Sequence, residues 1–132
     1  MPGVRTIIVD DDAGIREALR LLAKANGAEV LAEADNGRAA IEQAERYRPQ
    51  LILLDVSMPV MGGFPAARYL RKHIPELRII LISQWNQRAY ADEALQIGVG
   101  GYVVKGSVAT ELGPAMDAVM EGETFVSPCI SD

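Results

Sequence analysis

Six residues of this chain have types that do little chemistry alone and a great deal together. Asp10, Asp11 and Asp12 follow the β-branched run Thr6-Ile7-Ile8-Val9. Asp55 follows Leu51-Ile52-Leu53-Leu54, Ser83 follows the apolar run 79–82, and Lys105 follows Tyr102-Val103-Val104. If these runs are parallel strands of one open sheet, their carboxyl ends share the edge where such sheets bind ligands. Acidic groups, a hydroxyl and an ammonium would then converge there. Carboxylates this close raise one another's pKa, and a hard divalent cation removes that cost. Mg²⁺ prefers oxygen ligands, takes one or two protein carboxylates and completes its shell with water and phosphate oxygens. It would neutralise part of an incoming phosphoryl group and leave one carboxylate free to attack phosphorus. Lys105 adds a fixed positive charge and Ser83 a hydrogen-bond donor. Phosphoryl transfer is mostly positioning and charge stabilisation, so this inventory suffices for it.

The intervening sequence has the pattern needed to place them. Ile15, Ala18, Leu19, Leu22 and Ala25 recur at spacings of three and four, and Asn26-Gly27 ends that helix. Residues 29–34 read as a second strand, Asp35-Asn36-Gly37 as a turn. Ala40, Ile41, Ala44 and Tyr47 line a second helix that Pro49 stops. The continuous run 51–54 suits a strand buried on both faces. After the loop 58–63, Pro65 suits the first residue of a helix running to His73. A weaker helix spans 87–97, and Leu112, Ala115, Met116, Val119 and Met120 mark a fifth. Five strands alternating with five helices predict an α/β fold, a parallel sheet covered on both faces. The size is that of a flavodoxin-like (βα)5 three-layer sandwich with strand order 2-1-3-4-5.

Composition sets the outer limits. The chain has 132 residues, 49% of them apolar, enough for one compact domain and too apolar for disorder. The formal charge of −5 makes it a poor nucleic-acid binder by itself. One cysteine, Cys129, permits no intrachain disulfide. No apolar run approaches the ~20 residues of a membrane span, and the N-terminus lacks a signal-peptide stretch. A cytoplasmic protein without a membrane partner is expected. Residues 1–122 form the expected domain, and 123–132 a tail or the start of an interdomain linker.

The ordered set resembles the receiver domain of bacterial two-component response regulators, over about residues 5–122. It comprises Ile7-Ile8-Val9-Asp10-Asp11-Asp12, Leu53-Leu54-Asp55-Val56-Ser57-Met58-Pro59, Leu81-Ile82-Ser83 and Gly101-Tyr102-Val103-Val104-Lys105. Residues 94–105 and the closing Gly122-Glu123-Thr124-Phe125-Val126-Ser127-Pro128 are most similar to the NarL/FixJ subgroup, which carries a C-terminal LuxR-type helix-turn-helix domain. The resemblance implies a phosphoacceptor at Asp55. It implies a Mg²⁺ site at Asp10, Asp11, Asp55 and the backbone carbonyl of Ser57, with Asp11 the better match to a direct ligand. It implies a switch hydroxyl at Ser83, a switch aromatic at Tyr102 and a phosphate-binding lysine at Lys105. The phosphoryl donor would be a phosphohistidine on a sensor histidine kinase. The output face would be the fourth helix, fifth strand and fifth helix. A homodimer is compatible, and DNA would be reached through a C-terminal domain absent from this chain. Such a domain is a regulatory phosphoacceptor that assists its own phosphotransfer and dephosphorylation, not an enzyme in the usual sense.

Some positions depart from that pattern. Gln84 stands where a small residue is common, and would either crowd the phosphoryl pocket or hydrogen-bond to it. Trp85 puts a large ring on a loop expected to move, either packed on the fourth helix or anchoring a partner. Gly106 follows Lys105 where Pro or Asp is more usual. Gly62-Gly63 replaces Asp-Gly and is expected to loosen its loop. Other residues have plainer readings: Asp12 caps the first helix, Tyr102 can be simple core, His73 is a solvent-facing last-turn cation and Cys129 a tail residue. Two rival functions remain. Aspartate-nucleophile phosphatases also place Asp-x-Asp after a first strand, but Asp11 and Gly14 do not fit their pattern. A phosphate-independent dimerisation or docking module is the other, and Gln84 is what favours it.

Overall fold

The computed structural model describes residues 3–131. The strands are β1 (Val4–Val9), β2 (Ala28–Ala34), β3 (Leu51–Asp55), β4 (Arg78–Ser83), β5 (Gly101–Val104) and β6 (Phe125–Val126). The helices are α1 (Ala13–Ala25), α2 (Gly37–Tyr47), α3 (Gly63–His73), α4 (Arg88–Ile97) and α5 (Val108–Met120). All strand pairs are parallel, in the order β2-β1-β3-β4-β5-β6. The expected order holds and is extended by one strand. Among the described residues, no helix is long and apolar enough to cross a membrane.

Alternation along the strands divides the core in two. Ile7, Val9, Ile52, Leu54, Ile79, Leu81 and Tyr102 face α2, α3 and α4. Ile8, Leu51, Leu53, Ile80, Ile82 and Val103 face α1 and α5. Both faces are covered, which is why β3 reads as one apolar run rather than an alternating one. Each fully buried Leu or Ile contributes ~1.5–3 kcal/mol, so these layers make the central strands a stiff frame.

The helix starts follow local chemistry. The Asp12 carboxylate accepts from Ile15 N at 3.0 Å and caps α1, as its position predicts. Asn36 caps α2 through Ala39 N at 2.9 Å. Helix α3 begins two residues before Pro65, at Gly63. Proline is still tolerated there, because first-turn N–H groups lack helical partners. Pro114 lies inside α5, on its exposed side.

Two expectations about the chain's loops change. Gly62-Gly63 has a steric role in the β3–α3 loop beyond the looseness expected of it. A Cβ on Gly63 would sit 2.3 Å from Asp55 O, so this glycine lets α3 start hard against the end of β3. Residues 123–131 are no free tail either: Phe125 and Val126 pair with Gly101 and Tyr102, and Ile130 is buried. A two-residue strand is too short to show period-two alternation, so the sequence pattern had nothing to reveal.

The β3–α3 loop also holds strain. Met61 N donates to Pro59 O at 2.7 Å, closing a γ-turn with Val60 at φ 68°. A β-branched side chain at positive φ is an outlier, and this turn is rare. Val60 is 74% exposed, so its side chain recovers little burial in return. Val60→Gly should therefore stabilise the protein by about 1 kcal/mol. Urea denaturation would measure it; a lower midpoint for the variant would mean the turn is relaxed in solution.

Candidate functional site

The strand order reverses between β1 and β3, and the carboxyl ends of those strands flank the crevice this creates. Asp10 directly follows β1 and is fully buried, and Asp55 is the last residue of β3 at 2% exposure. Asp11 is exposed beside them. One oxygen from each of these three carboxyl groups lies within 4.8 Å of the others. Lys105, directly after β5, places Nζ 3.2 Å from Asp10 Oδ2 and 3.1 Å from Asp55 Oδ1. Residues from three separate segments thus meet at one sheet edge. The peptide after Lys105 is trans.

Each carboxylate is held differently. Asp10 Oδ1 accepts from Asp12 N at 2.9 Å and Oδ2 faces Lys105. Asp55 Oδ1 is shared between Lys105 and a long contact of 3.4 Å from Ser57 N. Asp55 Oδ2, like Asp10 Oδ2, is buried with no hydrogen-bond partner among the described residues. A buried carboxylate oxygen without a donor is costly, and such groups recur where a ligand or reaction supplies the partner. The electrostatics agree. Burial pushes the Asp55 carboxyl up to about 6, the Asp10 charge adds to this, and Lys105 only partly opposes it. Burial works against charge on Lys105, but the carboxylates of Asp55 and Asp10 outweigh it and raise its pKa.

Ser83 ends β4, is buried, and accepts from Trp85 N at 3.0 Å. Tyr102 is fully buried in the core layer, and its hydroxyl donates to Trp85 O at 2.7 Å. The ring has apolar packing in that layer, and its hydroxyl has a carbonyl partner. Trp85 stacks on Tyr90 of α4, with ring centroids 5.7 Å apart. Gln84 is exposed. His73 is exposed in the last turn of α3 and stacks on Tyr69.

One residue escaped the sequence reading. Arg16 Nη1 donates to the backbone carbonyl of Asp10 at 2.7 Å, while its Nε reaches Glu33 on β2 at 3.3 Å. It pins the main chain that carries the acidic pair. The only hint was a basic residue just over a helical turn into α1.

The sequence model of the response regulator receiver domain family matches residues 6–117. The chain belongs to that family. The receiver is 31% identical over 129 residues to the response regulator GacA of Pseudomonas viridiflava, covering 97% of this chain and 60% of GacA. It is equally 31% identical over 129 residues to the transcriptional regulatory protein DegU of Brevibacillus brevis, covering 97% of this chain and 55% of DegU. Among solved structures it is similar to a LuxR-family two-component response regulator from Aurantimonas sp. SI85-9A1, at 32% identity and TM-score 0.90, covering 97% of this chain and 92% of that one. The receiver thus spans little more than half the length of these curated relatives. Receivers are phosphorylation-type signalling switches rather than enzymes in the usual sense.

The raised Asp55 pKa carries a stability consequence. The folded receiver holds this proton more tightly than the unfolded chain. The carboxyl therefore favours folding at and below pH ~4 and loses that contribution as pH rises to about 6. In chelator, Asp55→Asn should be more stable than wild type at pH 7.5, by roughly 3 kcal/mol, with the gap closing toward pH 4. Paired urea titrations test this; a gap that widens on acidification would make Asp55 an ordinary stabilising ion-pair partner.

Proposed function

We propose that the receiver accepts a phosphoryl group on Asp55 from a phosphohistidine of a sensor histidine kinase and relays the change to a transcriptional output. The observation that carries this reading is the buried, unpartnered Asp55 Oδ2 beside Lys105 and the Asp10–Asp11 pair. Asp10 is the weaker nucleophile candidate: its Oδ1 accepts from Asp12 N, and its Oδ2, though also without a hydrogen bond, is ion-paired with Lys105 Nζ at 3.2 Å. That argues against the aspartate-phosphatase alternative.

The donor set is all oxygen and strongly acidic, which suits a hard cation such as Mg²⁺. Asp10, Asp11, Asp55 and the Ser57 carbonyl would hold it. When bound, the ion offsets charge on the carboxylates and on the phosphoryl oxygens. The chain's own residues supply the rest. Asp55 Oδ2 attacks phosphorus; a P–O bond forms, the P–N bond to the donor imidazole breaks, and the imidazole keeps the electron pair. Lys105 Nζ, already 3.1 Å from Asp55 Oδ1, is placed to follow the negative charge onto the phosphoryl oxygens. Ser83 donates its hydroxyl hydrogen to another of those oxygens. Arg16 keeps the Asp10 backbone from shifting as charge builds up.

Phosphorylation adds charge and acceptor oxygens at one point. Ser83 and Tyr102 both bond to Trp85, so a pull on Ser83 reaches the β4–α4 loop directly. The output face of α4, β5 and α5 then changes population between two packings. The similarity to GacA, DegU and a LuxR-family regulator supports a DNA-binding output carried by another part of the whole protein.

Intact-protein mass after incubation with a small phosphodonor, with and without Mg²⁺, tests the reading. Wild type should gain one phosphoryl group only with Mg²⁺, and Asp55→Asn none. Lys105→Ala should still bind Mg²⁺ but lose most phosphoryl-dependent change in Trp85 fluorescence. A folded, Mg²⁺-binding wild type that never gains mass would instead favour the docking-module alternative.

A further inference from the structure

The C-terminal segment 123–131 is tied to the same loop as the switch residues. Its first half lies along β5: Phe125 N donates to Gly100 O and Ser127 N to Tyr102 O, both at 2.9 Å. Ser127 Oγ accepts from Val104 N at 2.9 Å and donates to Glu111 on α5, and Ser127 is buried. Ile130 then packs in the core layer that contains Tyr102, Ala91 and Ala94. Finally Ser131 N donates to Asn86 O at 2.8 Å, and Ser131 O accepts from Arg88 N at 2.9 Å.

That last pair of bonds has a specific consequence. Gln87, the residue before α4, makes no side-chain capping bond. The Arg88 N–H is one of the helix's orphan donors, and the strap's Ser131 carbonyl satisfies it. The strap thus serves as the missing cap of α4. It also grips Asn86, whose neighbour Trp85 is held by Ser83 through N–H and by Tyr102 through C=O. Adjacent peptide units of one exposed loop are held from two sides.

Ser83 Oγ accepts from Trp85 N and lies within hydrogen-bonding reach of the Tyr102 hydroxyl, so its hydrogen can turn to a phosphoryl oxygen without breaking the Trp85 bond. The docked strap and a Ser83 hydroxyl bonded to phosphate are therefore compatible. We propose that the 123–131 strap is a positioning element for the phosphoryl site. By capping α4 and holding Asn86, it fixes the loop that sets Ser83, so strap docking and phosphoryl binding strengthen each other. This rests on the assignment of Ser83 as a phosphoryl donor partner. Reciprocity is required: whatever docking adds to phosphoryl affinity, the phosphoryl group adds to docking.

The test uses the full chain, Mg²⁺ and beryllium trifluoride as the phosphoryl analogue, with Trp85 fluorescence as the binding signal. Ser131→Pro removes the N–H to Asn86, and Ile130→Ala weakens the anchor without touching the site. Both should bind the analogue about fivefold or more weakly than wild type, with Mg²⁺ affinity unchanged within about twofold. In wild type, the analogue should slow hydrogen exchange at the Ser127 and Ser131 amides. Wild-type analogue affinity in both variants, or exchange unaltered by the analogue, would overturn the proposal. Failure of wild type to bind the analogue at all would overturn the phosphoacceptor reading as well, which separates the two failures.

Discussion

A single ammonium group between two buried carboxylates governs this site. Lys105 Nζ sits 3.2 Å from Asp10 and 3.1 Å from Asp55, and both acids are almost completely removed from water. One positive charge cannot balance two negative ones, and Asp11 adds a third at the rim. Burial first, and the Asp10 charge after it, make the Asp55 carboxyl reluctant to ionise, and Lys105 only partly opposes them. Buried charges are kept only where partners compensate them, so a site left short of positive charge is set to take some up. A cation meets that need directly. A phosphoryl group with its cation does so while giving Lys105 a new oxygen partner. On the reading proposed above, the electrostatic discomfort of the acid cluster would be the source of affinity for both.

The rest of the fold keeps that discomfort from relaxing. A loop bearing three acids would move them apart; here two are fixed to strands buried on both faces. Arg16 ties the Asp10 carbonyl to β2 through Glu33, and Gly63 brings α3 against the Asp55 carbonyl. The strained turn at Val60 lies in the same loop, beyond the frame. Rigidity in the frame and strain in the connection is the expected division, since loops placed by a stiff scaffold carry function.

This division also explains what could be read from the sequence. Short apolar runs ending in a polar residue mark strands buried on both faces, so β1, β3, β4 and β5 and the four groups at their ends were legible. Asp12 and its cap were legible for the same local reason. Tyr102 was ambiguous because an aromatic at a strand position serves core and switch equally well; only its bond to Trp85 O tells which packing it adopts. Arg16 and Glu33 were invisible, since their meeting depends on β2 lying beside β1. The strap was invisible because its bonds are mostly backbone to backbone, and main-chain groups carry no residue signature. Gly63 misled in the opposite sense: a glycine reads as flexibility, and here it marks close approach.

The strap and the acid cluster are far apart in sequence, yet few steps separate them. From Asp55 the sheet passes to β4, whose last residue Ser83 bonds Trp85; the next peptide unit belongs to Asn86, and Asn86 bonds Ser131. Every link is a hydrogen bond, a strand neighbour or a step along the chain, so none needs a large displacement to transmit a change. A chain of this kind does not push. On the proposed reading it biases a loop between two arrangements, and a group at either end shifts the balance only by its differential affinity for them. Single hydrogen bonds contribute about 1 kcal/mol net each, which is the size at which such a balance tips without locking. A receiver wired through stronger contacts would hold one state whatever happened at Asp55. On that reading, modest bonds at the sheet edge, against a stiff core, would leave the charge at Asp55 able to decide.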